Sequence, residues 1–388
     1  MKSRALMAPF IVGTFAVIIQ LARLTLGNSS APFEVLWAED GLFPLCVKSF
    51  DALSCTVEPF AGYLLFLPRL AAILLAMLPL EIWPIGATVV ASVVTGALSG
   101  AIYSGLRSFG MSDKGAIASA LTFVLLPITG IEVLAVVGSL YVPLLVAGAV
   151  LTIAVPRARP SYLGIPLLLA VSALTMPTTM VLVPFIILNW YWRRVEFREA
   201  ITWMAFLVIG LLGQILVIVS AEERREMDLS ISALGNFVRG FLASILTLLP
   251  GLTVGDVSLT EFTTLRPSPY LAWLTILILG LVALLGVILG RNHERWSVSA
   301  QLVLVALMVS LIPSLSGTFS FRYFVAPVAL LTIALLVLID QWINKLKAWQ
   351  LIFGIALLGI TWAPSFPASQ LRSAPAPSWS FELSRAMV

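Results

Sequence analysis

Residues 199–219 read EAITWMAFLVIGLLGQILVIV. Beyond Glu199 the stretch carries no charge. As a helix of about 20 residues it is long enough to cross the ~30 Å hydrocarbon core of a bilayer. The rest of the chain has the same character. Of its 388 residues 60% are apolar and 11% charged, with a mean hydropathy of +1.04. Soluble domains run near 45–50% apolar and about 25% charged. This composition excludes a soluble globular protein and a disordered chain. The net charge is only +4, and the basic residues stand singly rather than along a stripe, which excludes a nucleic-acid partner.

Comparable apolar runs lie at 8–26, 84–106, 115–131, 139–155, 161–175, 177–192, 269–290, 297–314, 323–341 and 348–363. The expected fold is an all-α polytopic membrane protein of about 11 transmembrane helices. It forms one transmembrane domain, residues 1–363, with long loops at 27–83 and 220–268 and a short tail at 364–388. The N-terminal run has no small-residue cleavage site after its apolar core, so it is read as the first helix rather than a cleaved signal.

The stretch 61–80 is apolar but holds Pro68 and Arg69 in its middle and Pro79 near its end. Cytoplasmic loops of membrane proteins carry the excess of Lys and Arg. If 61–80 crosses the bilayer, the basic loops with Arg107/Lys114 and Arg157/Arg159 fall outside. If it lies along the outer interface or dips into it, every short basic loop falls inside, including those with Arg193/Arg194/Arg198, Arg291/Arg295 and Lys345/Lys347. The second arrangement is adopted. It places the N-terminus in the cytoplasm, the C-terminus outside and interfacial helices on the outer face.

The unusual polar chemistry then gathers outside. The first outer loop contains Trp37-Ala38-Glu39-Asp40-Gly41, adjacent carboxylates beside an aromatic ring and a turn residue. Such a pair suits general-base or metal work, and equally a solvated turn. Cys46 and Cys55 follow in the same loop, where an oxidising compartment favours a disulfide. Next come Gly62-Tyr63 and Pro68-Arg69. An arginine here either snorkels to headgroups or lines a cavity. Glu132 stands isolated in apolar surroundings shortly before Tyr141, and Arg239 lies on an interrupted apolar stretch, 234–250, read as a second interfacial or re-entrant helix. Arg322-Tyr323 opens a late helix, and a fixed guanidinium there is a fitting clamp for phosphate.

The sole histidine, His293, falls in a cytoplasmic loop, which argues against a histidine metal site. There is no phosphate-cradling Gly-rich motif, which argues against ATP hydrolysis. No internal repeat is evident, which weakens an inverted-repeat transporter.

Together the acidic motif after the first helix, the interfacial Gly62-Tyr63 and Pro68-Arg69, Glu132, and the late Arg322-Tyr323 resemble the GT-C superfamily of integral-membrane glycosyltransferases. More narrowly, the chain is similar to bacterial membrane proteins with an outer Trp-Ala-Glu-Asp-Gly motif. The resemblance implies a GT-C-like fold and a polyprenyl-phosphate-sugar donor. It implies a glycan or lipid acceptor, and an active site on the outer face of the bacterial plasma membrane, in contact with membrane lipids. It puts the base, or a metal ligand, on Asp40, with Glu39 as the other candidate. It makes Arg322, Tyr323, Glu132, Arg69, Tyr63, Arg239 and Tyr141 substrate-binding candidates. No metal ligand set is assigned, because two adjacent side chains seldom reach one ion, and a divalent cation stays open as a cofactor. Two other readings stay open as well: a lipid-linked sugar transporter or flippase, and a non-catalytic subunit of an envelope assembly complex.

Overall fold

A computed structural model describes residues 2–26, 39–49, 51–60, 62–126, 133–154, 163–192, 194–220, 294–315 and 322–347, with Phe33, Leu36 and Gln350. The expected spans at 269–290 and 348–363 (Gln350 apart), the loop 221–268 and the tail 364–388 lie outside the described residues. Every named element is helical. Among the described residues the only β-type pairing is an isolated antiparallel bridge between Phe60 and Tyr63.

The α-helices are α1 (Lys2–Leu26), α2 (Glu39–Ser49), α3 (Ala52–Val57), α4 (Phe66–Ala76), α5 (Trp83–Phe109), α6 (Asp113–Leu125), α7 (Tyr141–Ile153), α8 (Gly164–Thr175), α9 (Val183–Tyr191), α10 (Phe197–Ser220), α11 (Glu294–Leu315) and α12 (Arg322–Lys345). Short 3-10 turns at Leu80–Ile82, Val137–Ser139 and Pro177–Leu182 join them. Among the described residues five helical stretches are long and apolar enough to cross a membrane: Met7–Thr25, Leu80–Phe109, Phe197–Ser220, Glu294–Ile312 and Tyr323–Lys345. α1 exposes Phe10 and Phe15, and α10 exposes Ile209, Leu216 and Val219. Such faces match hydrocarbon and not water. The architecture is consistent with a multi-pass membrane protein.

The expected spans at 115–131, 139–155, 161–175 and 177–192 coincide with α6 to α9, but these helices are only 13, 13, 12 and 9 residues long. Two of the stops have visible causes, one local and one long-range. α8 ends before Met176-Pro177, where the ring of a proline drives the preceding residue out of the helical region; Met176 is extended, with φ −151 and ψ 119. α6 ends where Arg23 of α1 reaches across and donates to the carbonyls of Val124 and Leu126. α7 is apolar all round and buried at every residue from Tyr141 to Ile153. A helix of that kind belongs at the centre of a bundle. It packs against α5, α8 and α12.

Helix α1 runs antiparallel to α5 and approaches it closely. A Cβ placed on Gly96 would lie 2.7 Å from the Gly13 carbonyl oxygen, so only glycine lets these backbones meet. At the far end of α5, Gly110 adopts the left-handed conformation that closes the helix, φ +106, and α6 begins immediately after. There Asp340 of α12 accepts from the Ser112 backbone N–H and hydroxyl, and Arg295 of α11 pairs with it at 3.0 Å. Thus α6 has an anion at its positive pole and a cation at its negative pole, the arrangement its macrodipole favours. With 27 residues at 1.5 Å each, α5 separates this end of the molecule from the end that holds Asp40 by about 40 Å.

Candidate functional site

The segment between α1 and α5 folds into a strap of three short helices at the Asp40 end. α2 and α3 are joined by a disulfide between Cys46 and Cys55. Asp51 caps α3 by accepting from the Ser54 N–H at 2.8 Å. That bond, together with one from the Ser54 side chain, holds the Asp51 carboxyl below the usual carboxylate range. Phe43 of α2 meets Phe60 edge to face, with ring centroids 5.3 Å apart.

The strap then dips into the bundle. The backbone at Leu64 is not helical, and both of its polar groups are taken by one side chain: Gln214 of α10 accepts from the Leu64 N–H at 3.0 Å and donates to its carbonyl at 2.7 Å. The same amide donates to the Leu174 carbonyl of α8 at 2.6 Å. One turn on, the Leu67 N–H donates to Thr175 Oγ1 at 3.1 Å. Protein groups thus satisfy the backbone where it leaves helical geometry. Gln214 stands six residues inside the Ser220 end of α10, so Leu64 lies roughly 9 Å deeper than that end at 1.5 Å per residue. α4 has 11 residues, roughly half the length needed to cross the bilayer alone.

Asp40 is the second residue of α2 and is 2% exposed. Its two carboxylate oxygens accept from consecutive backbone amides of the Val137–Ser139 turn, Oδ2 from Val137 at 3.1 Å and Oδ1 from Gly138 at 2.8 Å. The first and second inter-helix segments are joined by this carboxylate. The turn leads directly into Tyr141, the first residue of α7. Tyr141 and Tyr323 line one small cavity together with Val142, Leu145, Met176, Thr178, Val309 and Ala326. The cavity sits where α7, α11, α12 and the Pro177–Leu182 turn converge. Thr178 is 97% buried, and its hydroxyl has no partner among the described residues.

Arg69 lies in the first turns of α4 and is 4% exposed. Its guanidinium covers the Phe43 ring at 4.4 Å and donates to the Glu58 carbonyl at 3.3 Å. Tyr63 is half-buried beside the re-entrant turn.

Of the residues expected to act, Asp40, Tyr63, Arg69, Tyr141 and Tyr323 therefore meet at one end of the molecule. Glu39 and Arg322 are placed at the first positions of α2 and α12, but their side chains lie outside the described residues. Trp37, Glu132 and Arg239 lie outside them altogether. Among the described residues the one group with metal-ligand spacing is Cys46, Cys55 and Glu58. Its two sulfurs are spent in the disulfide, so it cannot hold an ion as thiolates do.

Sequence reasoning missed Gln214, Thr175, Glu58 and Thr178. Gln214 carried a usable signal: it is the one amide in the uncharged run 200–219, and polar groups inside a span are functional candidates by default. Comparison with protein-family models, with curated proteins and with solved structures finds no match.

Proposed function

We propose that this chain is a membrane glycosyltransferase of the GT-C kind, moving a sugar from a polyprenyl phosphate to a glycan or lipid acceptor on the outer face. One observation carries the reading: the acidic motif, the second inter-helix segment and the start of α12 meet at one end, with Asp40 bonded to Val137 and Gly138 and with Tyr141 and Tyr323 on one cavity. This is the end that the positive-inside rule assigns to the outer face, while Ser112, Arg295 and Asp340 cluster at the other.

In the proposed reaction the acceptor hydroxyl attacks the anomeric carbon while Asp40 takes its proton. The bond to the lipid phosphate breaks with its electron pair, and a guanidinium neutralises the departing phosphate. Arg322 is the proposed partner in that step. An ionised carboxylate offers about four lone-pair sites. The backbone bonds from Val137 and Gly138 fix the orientation of Asp40. Direct displacement of this kind inverts the anomeric centre. A divalent cation has no ligand set among the described residues.

A second reading has an observation of its own. A buried carboxylate bonded to two backbone amides is also how a fold ties two loops together. On that reading the chain is a non-catalytic subunit of an envelope assembly complex. Asp40→Asn separates the two. The transferase reading expects transfer to fall by about 10²–10⁴-fold with the fold retained. It also expects a monophosphate polyprenyl sugar to be enriched among the lipids that co-purify with the variant, read by mass spectrometry. Unchanged turnover would remove Asp40 from catalysis. A diphosphate-linked oligosaccharide bound equally by both proteins would favour the flippase.

A further inference from the structure

We infer that Arg69 is the anchor of a phosphate-binding site in the strap, and that Glu58 is the exposed carboxylate which the phosphate displaces. The inference deepens the transferase reading, since it assigns a place for the phosphate of the donor, and it rests on that reading for the lipid to which the phosphate is attached.

Arg69 is 96% buried, yet its Nε finds no partner among the described residues. Its Nη2 donates to the Glu58 carbonyl at a long 3.3 Å. Its Nη1 stands 3.7 Å from Glu58 Oε2. Charge-assisted guanidinium–carboxylate bonds run near 2.7–2.9 Å and are often bidentate. Glu58 makes neither a short nor a forked contact. Its carboxylate side chain is 57% exposed, and its Oε2 lies closer to the Cys46 sulfur, at 3.1 Å, than to the guanidinium. A buried cation with spare donors and a carboxylate that only borders it is a site prepared for a different anion. The planar edge formed by Nε and Nη2 matches two oxygens of a tetrahedral phosphate.

The surroundings favour this occupant. The Phe43 ring lies against the guanidinium at 4.4 Å and holds its plane. Phe43 stands one turn along α2 from Asp40, so a phosphate held at Arg69 would lie beside the helix that carries the proposed base in its first turn. Gln214 and Thr175 pin the turn that leads into α4, so the arginine is presented from a fixed backbone. The way in is past Glu58, the exposed partner of this arginine.

The experiment measures binding to the full chain in nanodiscs of zwitterionic phosphatidylcholine, with three probes: farnesyl monophosphate, farnesol and inorganic phosphate. The expected result is that the wild type binds farnesyl monophosphate and not farnesol. R69Q should weaken binding by at least tenfold. R69K, which keeps the charge and loses the fork, should fall between. E58Q should tighten binding severalfold, because the competing carboxylate charge is gone. Inorganic phosphate bound as tightly as farnesyl monophosphate would support the site and assign it to a free anion. Much weaker binding of inorganic phosphate would support a lipid-borne one. Equal binding by wild type and R69Q overturns the inference. So does weaker binding by E58Q, which would show the Glu58–Arg69 pair to be structural; this arm stands even if R69Q fails to fold. A sugar-transfer assay on the same samples keeps the two ideas apart. Binding at Arg69 without any transfer sinks the transferase reading alone, and transfer that persists in an R69Q protein with unaltered binding sinks this inference alone.

Discussion

Asp40 and Asp340 are both buried carboxylates that accept backbone N–H bonds from a neighbouring segment, and they stand at opposite ends of the bundle. Their settings differ. Asp340 sits at the N-terminus of α6, takes the Ser112 amide and hydroxyl, and is paired with Arg295, which itself donates to the Gly110 carbonyl. Around it Arg107 pairs with Asp113 at 2.7 Å, and Lys114 donates to the carbonyls of Asn344 and Leu346. Turn, helix start and helix end are tied together on every side. Asp40 instead joins two inter-helix segments beside a cavity, a re-entrant turn and an incompletely satisfied arginine. The comparison teaches that a buried charge alone does not mark a site. What marks it is the unfinished chemistry around the charge.

The largest effect should come from breaking the finished end. Asp340→Asn removes the partner of Arg295 and should destabilise by about 3 kcal/mol, the low end of the cost of breaking a buried pair, because Arg295 keeps some contact with its surroundings outside the protein. Gly115→Ala tests the same spot from the other side, because a Cβ there would lie 2.0 Å from Asp340 Oδ1. Equilibrium unfolding in detergent measures both. Asp40→Asn should cost less stability, about 1–3 kcal/mol for a backbone amide left without its acceptor, while it removes transfer. If Asp340→Asn proved neutral to folding and harmful to transfer, the contrast between the two ends would be reversed.

The next effect belongs to the strap. The Cys46–Cys55 bridge closes a loop with a sequence separation of 9. On the chain-entropy account, losing it by Cys46→Ser with Cys55→Ser should cost about 2–3 kcal/mol. Because α2 carries Asp40 and Phe43, the loss should be local. Hydrogen exchange should speed up at Val137 and Gly138, whose amides Asp40 holds, while Ser112 at the far end stays protected. Uniform acceleration at both ends would show that strap and bundle unfold as one unit.

The two ends were not equally legible in the sequence. Long helices announce themselves by composition alone, as 199–219 and 323–341 do, and the crowding of Asp40, Tyr141 and Tyr323 at one end follows from topology once the basic loops are set on one side. The interior helices were legible as apolar runs but not in their lengths. The stop of α6 depends on Arg23, a hundred residues away in the chain, and no local pattern reports such a partner. What holds the non-helical backbone at Leu64 was hidden for the same reason. Residues 61–80 state that a full crossing is awkward, through Pro68 and Arg69. That Gln214 completes the backbone of Leu64 is a long-range fact, visible only as one amide out of place in an apolar run. Asp340 drew no reading of its own, because nothing near it in sequence shows that Ser112 and Arg295 converge there.

The smallest expected effect concerns the cap of α3, and it sharpens the comparison because it isolates the rim of the strap from its buried core. Asp51 accepts from the Ser54 side chain and N–H, and this lowers its carboxyl below the ordinary value. A carboxyl depressed by folding contributes its stability fully above the unfolded value, near 3.9 for aspartate. That contribution is lost as pH falls through the lower, folded value. Acidification from neutral pH should therefore leave the Ser54 amide protected down to the unfolded value, about 3.9, and release it only as pH falls below that, through the folded value. Asp51→Asn keeps a capping oxygen without the charge, so its Ser54 protection should not respond to pH over the same range. Asp51→Ala should exchange fast at every pH. In all three proteins the Gly138 amide, held by Asp40 in the buried part of the same assembly, should follow its own course. If Gly138 tracks Ser54 through the acid limb, the rim and the Asp40 clamp are one cooperative unit, and strap loosening at the surface would then reach the candidate site directly.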